Sequence, residues 1–464
     1  MIDQSAAEIA EAVRSGASSA SQVVKATLDR IAERNPRLDA FTEITADRAK
    51  ARAAEQDAAL RRGEALGPLA GVPFAVKNLF DIAGLKTRAG SLINRGMPAA
   101  SRDAVLVERL EAGGAILVGA LNMGEYAYDF TGENLHDGAS RNPHDPDRMT
   151  GGSSGGSGCA VASGMVPLAL GSDTNGSIRV PSALCGLFGL KPTFGRLPRS
   201  GTFPFVSSLD HLGPMARSAG DLALAYDAVQ GPDVSDPVCA GRPAELVTPR
   251  LAEGSIGLRI ARASGYFREM AHPEALEAVD RVAAALGATR EIELPEARRA
   301  RSAAYLITTS EGAALHLARL RERPRDFDPA VRDRLLAGAM VPAAWVLKAQ
   351  KFRRHFREIV LRIFQSVDVI LAPATPCRAP RIGQTEMLLA GRKVPVRANL
   401  GLFTQPISFI GLPVVTVPVW TKGERLPLGV QVVAAPWRED IVLRVARALE
   451  ARGVCASPVA AWRS

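Results

Sequence analysis

Apolar residues recur at helical spacing through 2–13, 21–32 and 45–60, which predicts a helical opening to the chain. Ser21 offers an N-cap for the second of these segments and Pro36 a stop. From residue 69 the texture changes. The runs 69–77 (LAGVPFAVK), 115–118 and 166–170 are short and almost wholly apolar, as buried strands are, and 103–112 between them has helical spacing. Residues 218–230 read as a helix capped by Ser218, and 256–295 as strand, helix, strand. A long, arginine-rich helical stretch fills 296–367. The apolar strands 368–372, 414–419 and 430–434 follow, then a closing helix over 438–450. Strands alternating with helices predict an α/β fold on one sheet. We expect a single domain: a helical N-terminal region 1–65, a core 66–295, a helical insertion 296–367 serving as lid or partner surface, and a return to the core over 368–464.

Composition narrows the function classes. The 464 residues are 47% hydrophobic and 23% charged, ordinary for a globular protein. The net charge of +9 comes largely from dispersed arginine. Its densest cluster, Lys348, Lys351, Arg353, Arg354, Arg357 and Arg362, falls on a helical pattern. That reads as a solvated face, or as a surface drawing acidic substrates or partners, and nucleic acid is not the expected partner. Five scattered cysteines without a CxxC pair exclude a disulfide framework or zinc site and suggest a reducing cytoplasm. The six histidines form no HExxH or Cys/His cluster, so neither a metal nor another cofactor is expected. No apolar run reaches a membrane span, and the N-terminal stretch lacks a signal-peptide pattern.

The candidate chemistry gathers in residues 148–181, RMTGGSSGGSGCAVASGMVPLALGSDTNGSIRVP. So much glycine and serine inside a domain implies work for the backbone itself, through positive φ and convergent N–H groups. A flexible linker would not be followed at once by a small-residue helix near 159–164 and a strand. A phosphate loop would need Lys-Ser or Lys-Thr after its last glycine, and the dinucleotide pattern needs its strand before the glycines. GxSxG matches occur at 151–155 and 152–156, but the polar, proline-broken RNPHDPDRMT before them is no strand for a nucleophile elbow. His211 could complete a Ser-His-Asp set, yet it reads better as a loop residue that packs or hydrogen-bonds. Lys77 ends an apolar run, so it is either a snorkelling strand-end lysine or one whose pKa burial has lowered. Ser177, in a turn after a strand, is either a turn serine or an exposed nucleophile.

Three segments, AVKNLFDIAG, GGSSGGS and GSDTNGSIRVP, resemble the motifs of the amidase signature family, and the likeness runs from about Leu69 to about Val433. The resemblance implies an amidase-signature α/β fold, a mixed central β-sheet covered by helices on both faces. It also implies a catalytic set: Ser177 as the acylated nucleophile, Lys77 as base and Ser153, after a cis peptide bond, as proton relay. The N–H groups of Thr174, Asn175, Gly176 and Ser177 would form the oxyanion hole. Asp173 and Arg179 would brace the turn, and Ser154 and Ser157 would bond locally. Many members carry Gly where Asn175 stands. Because Asn tolerates positive φ, the hole should survive there, with a narrower pocket.

Within the family the chain resembles two branches. NMGEYAY (122–128) and RNPHDP (141–146) are similar in style to the glutamine-hydrolysing subunit of tRNA-dependent amidotransferases. Longer stretches, among them PLAGVPFAVKNLFDIAGLKTRAGSLINR, ITTSEGAALHL, RPRDFDP and LFTQPISFIGLPVV, resemble more nearly the branch that hydrolyses 1-carboxybiuret in cyanuric acid degradation. Both branches imply a small helical partner subunit. Homodimerisation is also expected. A broad-specificity amidase acting alone is a further alternative. A small, planar anion calls for a few fixed donors and a cation. Arg141, Arg88 and Arg319 are the candidate cations, and Tyr126, Tyr128 and Phe130 candidate pocket walls.

Overall fold

The computed structural model describes residues 3–462. Its first helix, Ala6–Arg14, starts at a capping box: the Ser5 hydroxyl accepts the Glu8 N–H (3.2 Å) and the Glu8 carboxylate accepts the Ser5 N–H (2.7 Å). The expected start at Ile2 lies outside the described residues. Ser19, rather than Ser21, caps the next helix, Ala20–Leu38, accepting the Gln22 N–H at 3.0 Å. The Ser21 N–H is taken instead by Asp57 (3.1 Å). Pro36 sits within the last turn, and the chain leaves the helix at Asp39 with φ 50°.

Fifteen strands follow among the described residues. In chain order they are β1 Phe41–Ile44, β2 Pro73–Lys77, β3 Ile116–Leu121, β4 Arg141–Asn142, β5 Asp145–Met149, β6 Leu168–Asp173, β7 Phe188–Lys191 and β8 His211–Ala216. After these come β9 Ile260–Ala263, β10 Arg290–Ile292, β11 Val369–Pro373, β12 Glu386–Leu389, β13 Arg392–Pro395, β14 Val414–Val419 and β15 Leu428–Ala434. β4–β5 and β12–β13 are separate hairpins. The other eleven form one mixed sheet in the order β1-β3-β2-β6-β8-β7-β14-β15-β11-β9-β10. The architecture is α/β, with helices covering both faces of this sheet.

Three sheet strands lie where none is expected from the pattern. β1 interrupts the supposedly helical opening and forms one edge of the sheet against β3. β7 has only four residues. β8 contains Gly213 and Pro214 and carries His211, which is therefore a strand residue and not a loop residue. A proline is tolerated there because β7 pairs only with Met215 and Ala216, so the ladder on that side stops short of Pro214.

β2 and β6 position the site. β2 runs parallel to β3 on one side and β6 on the other, and all five of its residues are buried. Such strands are near-continuous apolar runs. Helix Arg179–Cys185 lies close over the neighbouring strands because glycines face it: a Cβ at Gly429 would overlap Ala183, and one at Gly189 would overlap Ser182. The insertion forms three helices, Ala297–Glu322, Pro329–Ala339 and Ala343–Ile363. Among the described residues no helix is long and apolar enough to cross a membrane.

Candidate active site

The last residue of β2, Lys77, is 0% exposed. Its Nζ stands 2.7 Å from Ser153 Oγ and 2.9 Å from Ser172 Oγ. Burial pulls its pKa down from 10.5 to about 7, against the opposing charges of Asp210, Asp173 and Asp129. A neutral amine can accept the Ser153 hydroxyl proton while donating to Ser172.

Ser153 is delivered by the glycine-rich loop. The Gly152–Ser153 peptide is cis and Gly151 has φ 78°. A Cβ at Gly152 would stand 2.5 Å from Asp129 Oδ2 and 2.8 Å from the Gly132 nitrogen, so only glycine fits there. The loop is sewn down by Gly151 N–H to Thr131 O (3.1 Å), Gly152 N–H to Phe130 O (2.9 Å) and Gly124 N–H to Ser153 O (3.1 Å). Two further serines tie it to β6: Ser154 Oγ donates to Ser172 O (3.2 Å) and Ser157 Oγ to Leu170 O (3.1 Å).

Where β6 ends, Asp173 organises a tight turn over residues 174–177. Its carboxylate accepts the Ile178 N–H (3.2 Å) and pairs with Arg179 through Nε and Nη2, each at 2.9 Å, with both side chains fully buried. Burial alone would raise this carboxyl; the Arg179 charge and hydrogen bonds outweigh it and hold the group below the usual carboxylate range. Arg179 continues to Gln431 Oε1 (2.6 Å), Thr404 O (3.1 Å) and the Ser408 hydroxyl, so no donor of the pair is wasted. Thr174 Oγ1 donates to Asp210 (2.6 Å), whose second oxygen accepts the Phe205 and Val206 N–H groups.

The expected positive φ at Asn175 is not observed. The turn places it at Gly176 (φ 146°), where a Cβ would collide with Thr404. Asn175 keeps ordinary backbone geometry and is held by Thr404 Oγ1 donating to its carbonyl (2.6 Å) and by its own Nδ2 donating to Thr308 Oγ1 (2.9 Å). Among the described residues its buried Oδ1 has no partner. Among the described residues, none of the N–H groups of Thr174, Asn175, Gly176 and Ser177 is taken by another protein group. Four consecutive free donors beside a serine are suited to an oxyanion. His211 takes no part in this: its Nδ1 lies 3.0 Å from Asp173 O and 2.6 Å from Leu209 O, and burial drives its pKa well down.

A cavity of about 60 Å³ opens beside Ser177, with Asn175, Tyr128, Phe130, Arg334 and Arg397 in its wall. The expected cations are elsewhere. Arg141 lies in the β4–β5 hairpin and donates to Pro146 O (3.0 Å), Arg88 pairs with Glu43 and Asp137, and Arg319 lies over the Phe203 ring. Tyr126 is also outside the cavity lining. Its ring packs on His316 (4.0 Å) and its hydroxyl donates to Asn94 (3.0 Å). Arg397 is matched by Asp129 (2.6 Å) and Glu133 (3.6 Å). Among the described residues Arg334 has no carboxylate partner. It lies 3.8 Å over the Tyr128 ring and donates to Ala330 O (2.7 Å) and Tyr128 O. Sequence reasoning missed both arginines, because nothing local distinguishes them from the chain's many exposed ones. Among the described residues no cluster of His, Cys, Asp or Glu is placed to hold a metal.

A buried lysine between two serines and, in the turn after the neighbouring strand β6, a serine among free N–H groups make an arrangement suited to amide-bond hydrolysis. The chain belongs to the amidase family, whose model matches residues 22–443. It is a hydrolase acting on amide C–N bonds. It is 53% identical to AtzE, a 1-carboxybiuret hydrolase subunit of Pseudomonas sp. (strain ADP), over 96% of this chain and 98% of that protein. A glutamyl-tRNA(Gln) amidotransferase subunit of Coxiella burnetii (strain Dugway 5J108-111) is 36% identical, over 96% of each. Among solved structures, a protein complex that reveals the evolutionary origins of an s-triazine catabolic enzyme matches with TM-score 0.97 at 52% identity, covering 98% of this chain and 99% of that one. A bacterial aryl acylamidase of the amidase signature enzymes matches at TM-score 0.89 and 27% identity, covering 97% and 96%.

The site implies a stability linkage. Lys77 titrates near 7 folded and near 10.5 unfolded, so between these values the unfolded chain binds the extra proton and native stability rises with pH. Lys77→Met removes this linkage. Its urea midpoint should exceed the parent's at pH 7, and the gain should shrink toward pH 10. A constant gain across that range would contradict the assignment.

Proposed function

We propose that the chain hydrolyses 1-carboxybiuret to urea-1,3-dicarboxylate and ammonia by way of an acyl-enzyme on Ser177. The observation that carries the mechanism is the buried Lys77, within 2.7 Å of Ser153 and with a pKa near 7. Neutral Lys77 takes a proton from Ser153 as Ser153 takes one from Ser177, and Ser177 Oγ attacks the amide carbonyl. The N–H groups of residues 174–177 stabilise the oxyanion. As the C–N bond breaks, the proton returns through Ser153 to the leaving nitrogen, and ammonia departs. Water then attacks the acyl carbon with the same base, releasing the acid and free Ser177.

The substrate reading is supported by the likeness to AtzE and by the pocket's chemistry. Arg334, without a carboxylate of its own, suits a substrate carboxylate, and the unpartnered Asn175 Oδ1 suits a substrate N–H. Tyr128 would orient Arg334, whose guanidinium lies over its ring. The whole chain serves as one amidase unit in this reading, with the insertion as pocket wall. A small helical partner subunit fits as well, since AtzE is one subunit of a hydrolase and the similar solved structure is a complex. A homodimer is also compatible.

A fluorophosphonate should modify Ser177 in the parent. In Lys77→Ala the acylation rate should fall by about 100- to 10,000-fold, the usual worth of a general base. The parent's kcat/KM should rise through about pH 7 as Lys77 loses its proton and level off above it. An adduct on another serine, or a Lys77→Ala variant of undiminished rate, would overturn the mechanism.

The substrate is tested by ammonia release from 1-carboxybiuret, biuret, glutamine and simple neutral amides. The highest kcat/KM is expected on 1-carboxybiuret, with Arg334→Met raising its KM at least about tenfold. Preference for glutamine would place the chain functionally with the amidotransferases, and preference for neutral amides would remove the role given to Arg334.

A further inference from the structure

One contact in the pocket wall bears on the length of the substrate. Phe130 is half-buried at the edge of the cavity, and the tip of its ring lies directly against Gly401. A Cβ on Gly401 would stand 2.6 Å from both ring Cε atoms and nearer still to Cζ. Gly401 does not have a left-handed φ, so packing, and not backbone freedom, is what requires glycine here.

Both sides of this contact are fixed to the reacting groups. The Phe130 carbonyl accepts the Gly152 N–H (2.9 Å), one residue before Ser153. Its neighbour Asp129 accepts the Thr131 N–H (2.8 Å), the Gly132 N–H (2.6 Å) and Arg397 Nη1 (2.6 Å). On the other side, the Gly401 carbonyl accepts the Thr404 N–H (3.1 Å), the Gln405 N–H (3.1 Å) and the Thr404 hydroxyl (2.9 Å). That same hydroxyl donates to Asn175 O in the nucleophile turn. The backbone on each side of the contact is thereby tied to the Ser153 loop or to the Ser177 turn, and the ring itself is packed against Gly401.

We infer that Phe130, backed by Gly401, is a length gate at one end of the cavity beside Ser177, so that anionic amides as long as 1-carboxybiuret are accepted and longer homologues excluded. The inference rests on the amide-hydrolase reading and adds a size criterion to the charge criterion of Arg334. At about 60 Å³ the cavity has little space to spare. One methylene too many in a closed pocket is worth about 10- to 200-fold in kcat/KM.

The test uses a series of dicarboxylic acid monoamides, malonamate, succinamate, glutaramate and adipamate, assayed beside 1-carboxybiuret. Each is read both as turnover and as protection of Ser177 from fluorophosphonate. In the parent, kcat/KM and protection should be highest for glutaramate, whose amide carbon and carboxylate are three atoms apart as in 1-carboxybiuret, and should fall at adipamate. Phe130→Ala should raise the adipamate-to-glutaramate ratio at least about tenfold, and Phe130→Leu, which retains an apolar filler, should move it in the same direction by less. An unchanged length profile in both variants, or equal loss on every member, would overturn the gate. Failure of the parent on 1-carboxybiuret with a shifted length profile in the variants would count against the proposed substrate while supporting the gate.

Discussion

The structure is organised by the burial of one amine. Lys77 ends a parallel strand closed on both sides, where an ammonium would be poorly solvated and has hydroxyls rather than a carboxylate in contact. The consequence is an amine that loses its proton near physiological pH, achieved without a histidine. Three carboxylates, Asp210, Asp173 and Asp129, still act on the amine from a distance and keep its pKa from falling further. Each of them is committed to another task. Asp173 is paired with Arg179, Asp210 holds Thr174, and Asp129 ties the pocket wall to Arg397. Those tasks shape the turn over 174–177 and the cavity, so the charges that tune the lysine also build the site around it.

The division of labour along the chain follows from this. Glycines occupy the places where a side chain would collide: Gly152 against Asp129, Gly176 against Thr404, Gly401 against Phe130. Polar residues in the same segments satisfy the backbone that the tight turns expose. The insertion reaches the site through Thr308 on Asn175 and Arg334 over Tyr128.

Much of this is legible from local pattern. The strand 69–77 ends at Lys77 in a position where burial can be anticipated, and the glycine-serine stretch signals its backbone chemistry. What is not legible depends on distant packing. β8 carries Gly213 and Pro214, which argue against a central strand unless one knows that its neighbour's ladder stops at Met215. Residue preference assigns the positive φ to Asn175, whereas the collision that demands glycine at 176 comes from Thr404, more than two hundred residues away in sequence. Arg334 and Arg397 reach the cavity from the insertion and from the segment after a hairpin, and no spacing rule links either to Ser177. Arg141, beside a recognisable motif, is used by its own hairpin.

The central claim, that burial keeps Lys77 neutral at working pH, can be read directly. Enzyme labelled with ¹³C at lysine Cε would show each lysine's titration by NMR, with Lys77 assigned by the signal lost in Lys77→Ala. The account predicts a midpoint near 7 for that signal. A midpoint near the ordinary 10.5 would mean that the amine is charged during turnover, and the proton transfers built on it could not occur as described.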